Sequence, residues 1–220
     1  MGQADSKEAP PVAAVKRSTS GCEVTVLWSN GNFAATELLR AEVGRIAGIP
    51  PCEVRVSRSC PVCGSSDHGR PVVLSDDADG LPFVSLSRAG EIMLVAITDQ
   101  GPVGVDIERL DALRFAGFDD AALHRWEIAP TIEARAATWV RKESLLKATG
   151  DALHVDPRLI RLSDPDLSPQ LIEWSAPNPP EVAVWMQDLE IRGHAACITV
   201  LSRDAPRITV RQAVPEELPR

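Results

Sequence analysis

The alternation of apolar and polar side chains carries the first half of the chain. CEVTVLW (22–28) alternates and is rich in β-branched residues, which predicts a strand. ATELLRAEVGRIAGI (35–49) changes to helical spacing at Leu38, Leu39, Val43 and Ile46, and stops near Gly48 with Pro50 beyond. EVRVS (53–57) predicts a short strand, and CPVCGSSDHGRP (60–71) a loop. LPFVSLS and EIMLVAIT (91–98) read as paired strands around RAG. The turn DQGP then leads into VGVDIERL (103–110), completing a β-meander.

Beyond that point the period becomes helical. DDAALHRW (119–126) and TIEARAATWVRKESLLKAT (131–149) are helix candidates, the second with Thr131 as N-cap and an end before Gly150. LIRLSD, EVAVWMQDLE and HAACITVLS follow as strands. Each half thus holds helix plus antiparallel strands, an α+β arrangement. The expected organisation is a disordered Ala-, Pro- and Ser-rich tail over 1–20, an N-terminal half over 21–103, a C-terminal half over 104–205, and a frayed tail over 206–220.

The long helix has an unusual charge phase. With Ile132 at zero, Ala136, Trp139, Val140 and Leu146 form an apolar stripe at about 100° per residue. Glu143 and Lys147 fall inside that stripe, at about 20° and about 60°, whereas Arg141 falls opposite, where a solvated charge belongs. An exposed Glu-to-Lys i,i+4 pair is the ordinary reading of such a spacing. Charges on a buried stripe instead need partners, which points to a site. Only four lysines occur in the chain, and two of them, Lys142 and Lys147, lie here.

VGVDIE supplies acids for that site. On a strand, Val103, Val105 and Ile107 share one face and Asp106 and Glu108 the other. Two carboxylates about 6–7 Å apart on one face converge on a hard cation. Oxygen ligands without histidine favour Mg²⁺, with Mn²⁺ as the other choice. A solvent-facing strand edge would carry the same two acids, so the argument rests on their pairing with Glu143.

Composition narrows the classes. The chain has 220 residues, 44% hydrophobic and 25% charged, ordinary for a globular protein. A net charge of −8 shows no basic surplus for nucleic acid, yet local basic pockets still bind a phosphorylated small molecule. No run of about 18 apolar residues predicts a membrane span, and the first twenty residues lack the apolar core of a signal peptide. A cytoplasmic location is expected, and the five cysteines then suggest thiols or a metal site. Cys60, Cys63 and His68, with Cys52, offer a structural zinc site, against which stands the single C-x-x-C.

VGVDIE followed by WVRKESLLKATG resembles the 4′-phosphopantetheinyl transferases of the Sfp type, whose signature pairs (V/I)G(V/I)D-x-E with W-x-x-K-E-(S/A)-h-h-K, h being apolar. HGRP (68–71) is similar to the family's G-(K/R)-P element, and VSLSRAG (84–90) to its N-I-S-H-S-G element, with Arg88 at the histidine position. The resemblance covers roughly residues 22–202 and implies a pseudo-dimer of two similar α+β halves with coenzyme A between them. It implies transfer of phosphopantetheine from coenzyme A to a serine of an acyl or peptidyl carrier protein, releasing 3′,5′-ADP, by a monomer. Asp106, Glu108 and Glu143 would hold Mg²⁺ on the diphosphate, with Glu143 also the base. Lys147 would contact the diphosphate, Lys142 the α-phosphate or nearby backbone, Arg70 the adenine and 3′-phosphate, and Ser87 and Arg88 the 3′-phosphate. A non-catalytic coenzyme A-binding relative and a zinc-loop interaction module are the alternatives.

Overall fold

The structure is a computed structural model that describes residues 22–30, 34–59, 65, 69–76, 80–151 and 154–213. In the first half, β1 (Glu23–Asn30) leads to α1 (Ala35–Ala47), the hairpin β2 (Arg55–Ser59) and β3 (Arg70–Leu74), and the hairpin β4 (Phe83–Ala89) and β5 (Ile92–Thr98). In the second, β6 (Val103–Arg109) leads through the short α2 (Phe118–Ala122) to α3 (Ile132–Thr149). The hairpin β7 (Ile160–Leu162) and β8 (Leu171–Trp174) follows, then β9 (Val184–Asp188), β10 (His194–Leu201) and β11 (Arg207–Gln212).

Strand alternation sorts the apolar residues. Val24, Val26, Leu94 and Ala96 face a core shared with Val103, Val105 and Ile107 of β6 and Ile198 and Val200 of β10. Leu27, Met93, Val95 and Ile97 face the other way, onto Leu38, Leu39 and Val43 of α1. Two sheets result, ordered β11-β1-β5-β4 and β6-β10-β9. The protein is therefore a mixed α+β fold, with one helix on the outer face of one sheet and α3 against the other. In each half the first strand pairs with the last, the last with the one before it, and the second and third with each other.

Several expectations from sequence need correction. The meander breaks after β5: β6 pairs with β10 and starts the second sheet, and Val103, Val105 and Ile107 are buried in the core between the two sheets. Residues 207–212, expected to fray, form β11, parallel to β1 with Glu23 opposite Arg207. Arg141, expected in solvent, is only 2% exposed. The β7–β8 connection folds over it, and its guanidinium donates to Asp188 and to the carbonyls of Asp164, Pro165 and Leu167. Arginine's five donors make such burial tolerable. The helix of 119–126 also shrinks to α2, and β3 and β8 emerge from segments without strand signals.

α3 has the ends that its sequence predicts. Thr131 Oγ1 accepts a hydrogen bond from Ala134 N at 3.1 Å, and Gly150 closes the helix with φ 85°. Its seat on β6 depends on Gly104. A Cβ there would lie 1.9 Å from Ser144 O and 2.5 Å from Ala148 N, both helix backbone. Only a residue without a side chain permits this approach.

Gly104→Ala is expected to destabilise the protein by about 3 kcal/mol or more, since neither backbone can give way cheaply. Urea denaturation measures it, and a loss within experimental error would show that α3 tolerates displacement.

Candidate functional site

The close seat of α3 delivers Glu143 and Lys147, one turn apart, onto the acids of β6. Asp106 Oδ1 accepts from Lys147 Nζ at 2.6 Å and from Ser87 Oγ of β4 at 2.7 Å. Lys147 also donates to the Val105 carbonyl at 3.1 Å. Glu108 follows two residues along the same strand face as Asp106.

Three carboxylates thus meet one ammonium, and the balance of charge is poor. Burial pushes the Glu143 carboxyl up to about 7 from its ordinary 4.5; the charge on Asp106 adds to this, Lys147 opposes it, and Glu108 contributes further. Burial, then the Asp106 charge, also raises Glu108, against the pull of Lys147 and His194. Asp106 Oδ2 and Glu143 Oε1 are buried without a hydrogen-bond partner. Buried anionic oxygens of this kind are costly unless a cation or donor meets them.

These oxygens make the residues a fit for a divalent cation. Among the described residues no group of three acids, histidines or cysteines closes into a ready metal cage. At Asp106 the Lys147 ammonium lies against Oδ1. The two free oxygens, with Glu108 beside them, form an all-oxygen donor set suited to Mg²⁺ or Mn²⁺.

Beside the acids lies a cleft of about 590 Å³ between the β3–β4 edge and the C-terminal end of α3. Its described lining holds Arg58, Arg70, Lys147 and His154 and no acidic residue. In a chain of net charge −8 that segregation creates a local positive field. Pro71, Val72, Pro82 and Phe83 add apolar wall. Arg70 is exposed and lies against the helix end, with its Nη1 3.0 Å from where a Cβ of Gly150 would be. Lys147 belongs to both places, lining the cleft and holding Asp106. The arrangement is that of a site for a phosphorylated, partly apolar ligand whose anionic end meets a cation.

The structure gathers Asp106, Glu108, Glu143, Lys147 and Ser87, and sets Arg70 at the cleft. Two of the residues anticipated from sequence lie elsewhere. Lys142 is 0% exposed, and its ammonium donates to Glu127, to the Ala122 carbonyl and to the Pro157 carbonyl. Glu127 also accepts from His124 N and Leu162 N, so this pair ties α3 to the segments on either side of it. Burial lowers the Lys142 pKa and Glu127 counters it. With three acceptors in place, Lys142 has no donor to spare for a ligand. Arg88 lies on the opposite face of β4 from Ser87, exposed and directed at Met93 Sδ. Cys60, Cys63 and His68 fall outside the described residues, while Cys22, Cys52 and Cys197 are free thiols. Sequence reading missed Arg58, His154 and Ser85. The cleft brings Arg58 and His154 together from strands and loops far apart in the chain, and no local pattern marks them.

Acids with unpartnered oxygens beside a basic cleft are the kind of arrangement that handles phosphorylated ligands. Residues 102–200, somewhat less than half of the chain, match the model of the 4′-phosphopantetheinyl transferase superfamily. The match spans β6, α3 and β10, the elements that build the acid cluster. Over 106 residues the chain is 36% identical to the uncharacterized protein YieE of Escherichia coli strain K12, covering 43% of this chain and 41% of that protein. YieE of Escherichia coli O6:H1 is similar to the same extent. The chain thus spans about two fifths of the length of these relatives.

Two outcomes follow from the electrostatics. Glu143 carries a raised folded-state pKa, so its contribution to stability is full below about 4.5 and is lost as pH rises through about 7. In metal-free buffer, Glu143→Gln is expected to melt higher than the parent near pH 8, with the gap closing towards pH 5. Parallel melting curves across that range would contradict the assignment. Lys142→Met leaves Glu127 buried without its cation and is expected to cost about 3–5 kcal/mol in denaturant unfolding.

Proposed function

We propose that the protein is a Mg²⁺-dependent 4′-phosphopantetheinyl transferase that moves phosphopantetheine from coenzyme A to a serine of an acyl or peptidyl carrier protein. The observation that carries this is the acid-free basic cleft opening, at Lys147, onto three carboxylates with two unpartnered oxygens. Coenzyme A has a matching charge pattern: a 3′-phosphate and a diphosphate on a nucleoside, with an apolar base. Arg58, Arg70 and His154 would hold the nucleotide phosphates, and Phe83 and the prolines would face the base.

Asp106, Glu108 and Glu143 would hold the Mg²⁺, which supplies charge neutralisation on the diphosphate as the leaving group departs. The carrier serine oxygen attacks the β-phosphorus, and the bond from that phosphorus to the bridging oxygen breaks. The electron pair leaves with 3′,5′-ADP. Glu143 accepts the serine proton, directly or through a water, a task suited to a carboxylate kept ionised beside the cation. Lys147, already at the boundary between cleft and acids, would turn its ammonium from Asp106 to the diphosphate. A compact ammonium makes this exchange more readily than a guanidinium fork.

The reading includes an internal pseudo-dimer. Its support is the shared order and pairing of β1–α1–β2–β3–β4–β5 and β6–α3–β7–β8–β9–β10, with the cleft at the junction of the two series. A chain that supplies both halves of its own site needs no second copy, which favours a monomer. Among the described residues no helix is long and apolar enough to cross a membrane. We assign the protein to the cytoplasm, where coenzyme A and carrier proteins meet.

The test is incubation with coenzyme A, Mg²⁺ and a panel of apo carrier proteins, read by intact mass. Addition of one phosphopantetheine to a carrier serine is expected. Glu143→Gln should lower kcat by about 10²-fold or more. Arg58→Ala and Arg70→Ala should raise KM for coenzyme A with little change in kcat. Coenzyme A binding without transfer to any carrier would leave a binding protein and overturn the transferase reading.

A further inference from the structure

The free edge of β6 faces β4, and no backbone ladder joins them. Two serines of β4 meet that edge instead. Val105 N donates to Ser85 Oγ at 3.0 Å, and Ile107 N to Ser87 Oγ at 3.4 Å. Both serines are buried, 4% and 9% exposed. They differ in one respect. Ser87 Oγ also donates to Asp106 Oδ1, and no such carboxylate contact exists for Ser85.

Asp106 Oδ1 has two donors, and they are not equivalent. Lys147 carries a long side chain, 27% exposed and lining the cleft, free to serve a ligand. The Ser87 hydroxyl sits on a strand, with one rotatable bond and its acceptor role already fixed by Ile107 N. When Lys147 turns away, Ser87 is the donor left to hold Oδ1. With Oδ1 held, the Asp106 carboxylate keeps one orientation, and its buried Oδ2 with it. Hydrogen bonds to a ligating carboxylate set its orientation and typically change metal affinity by about 10–100-fold.

We infer that Ser87 is a positioning residue: it orients Asp106 for the divalent cation. The inference rests on the metal role given to Asp106 above. It assigns to one half of the protein a residue that tunes the acids of the other.

The experiment compares Ser87→Ala with Ser85→Ala in the full chain. Each variant removes one hydroxyl from the β4–β6 seam, so both should lose similar thermal stability. Mn²⁺ affinity, by calorimetry without coenzyme A, should weaken about tenfold in Ser87→Ala and stay within about twofold of the parent in Ser85→Ala. Affinity for 3′,5′-ADP should be unchanged in Ser87→Ala. Equal Mn²⁺ affinity in Ser87→Ala and the parent overturns the inference, as does an equal loss in the two variants. Selective loss of 3′,5′-ADP binding in Ser87→Ala returns the residue to the phosphate. Failure of the parent itself to bind Mn²⁺ or Mg²⁺ is a separate result, which overturns the metal reading of Asp106.

Discussion

Everything at the site depends on how closely one helix backbone lies on one strand. Gly104 removes the layer of side chains that normally separates helix from sheet, and Ser144 O and Ala148 N occupy that space. Asp106 is two residues further along the strand, and Glu143 and Lys147 flank the contact on the helix. The glycine therefore does not take part in the chemistry; it sets the distance at which acids and ammonium meet. The rest of α3 is fastened to suit. Arg141 and Lys142, buried on its other sides, bind a carboxylate each and several carbonyls, so the helix is held from behind as well as seated in front.

The helix carries two kinds of ion pair. The Lys142–Glu127 pair is complete: every donor has an acceptor, and the neighbouring amides satisfy the glutamate. The Lys147–Asp106 pair is incomplete, since one carboxylate oxygen on each of Asp106 and Glu143 is left over. A buried pair with all its hydrogen bonds fixes structure, and one with spare oxygens invites a cation. The contrast explains why two lysines five residues apart have different fates.

Much of this was legible in the sequence, and the losses have physical causes. The alternation of VGVDIE is a local periodicity that survives folding. By contrast, α3 is buried on most sides, at Thr138, Arg141, Lys142, Ser144 and Leu145 as well as Ala136, Val140 and Leu146, with Glu143 and Lys147 half-buried. Arg141 obeyed the same helical arithmetic and yet is buried. Its partner Asp188 is 47 residues away, and no local pattern shows a loop folding over that face. The grouping of Ser87 with Arg88 overlooked the rule that neighbours on a strand point to opposite faces. Arg58 and His154 carry no periodicity and become functional candidates only once the cleft exists. β6 was read as the third strand of a meander because the turn DQGP is short. Whether a short turn continues a sheet or starts a facing one is decided by the area buried between the two, which sequence does not display.

Among the described elements, the strand that completes the first sheet is the last to be made. β11 lies parallel to β1 and hydrogen-bonds its edge from Glu23 to Trp28. On a ribosome, β1 must therefore wait for nearly the whole chain before that edge is covered. Until then, an alternating strand with apolar valines presents unpaired amides and carbonyls to other nascent chains. The N-terminal half is consequently not a module that can mature ahead of the rest, and such distant pairing is slow to form. Synthesis of this protein carries a period of vulnerability that lasts at least until β11 emerges.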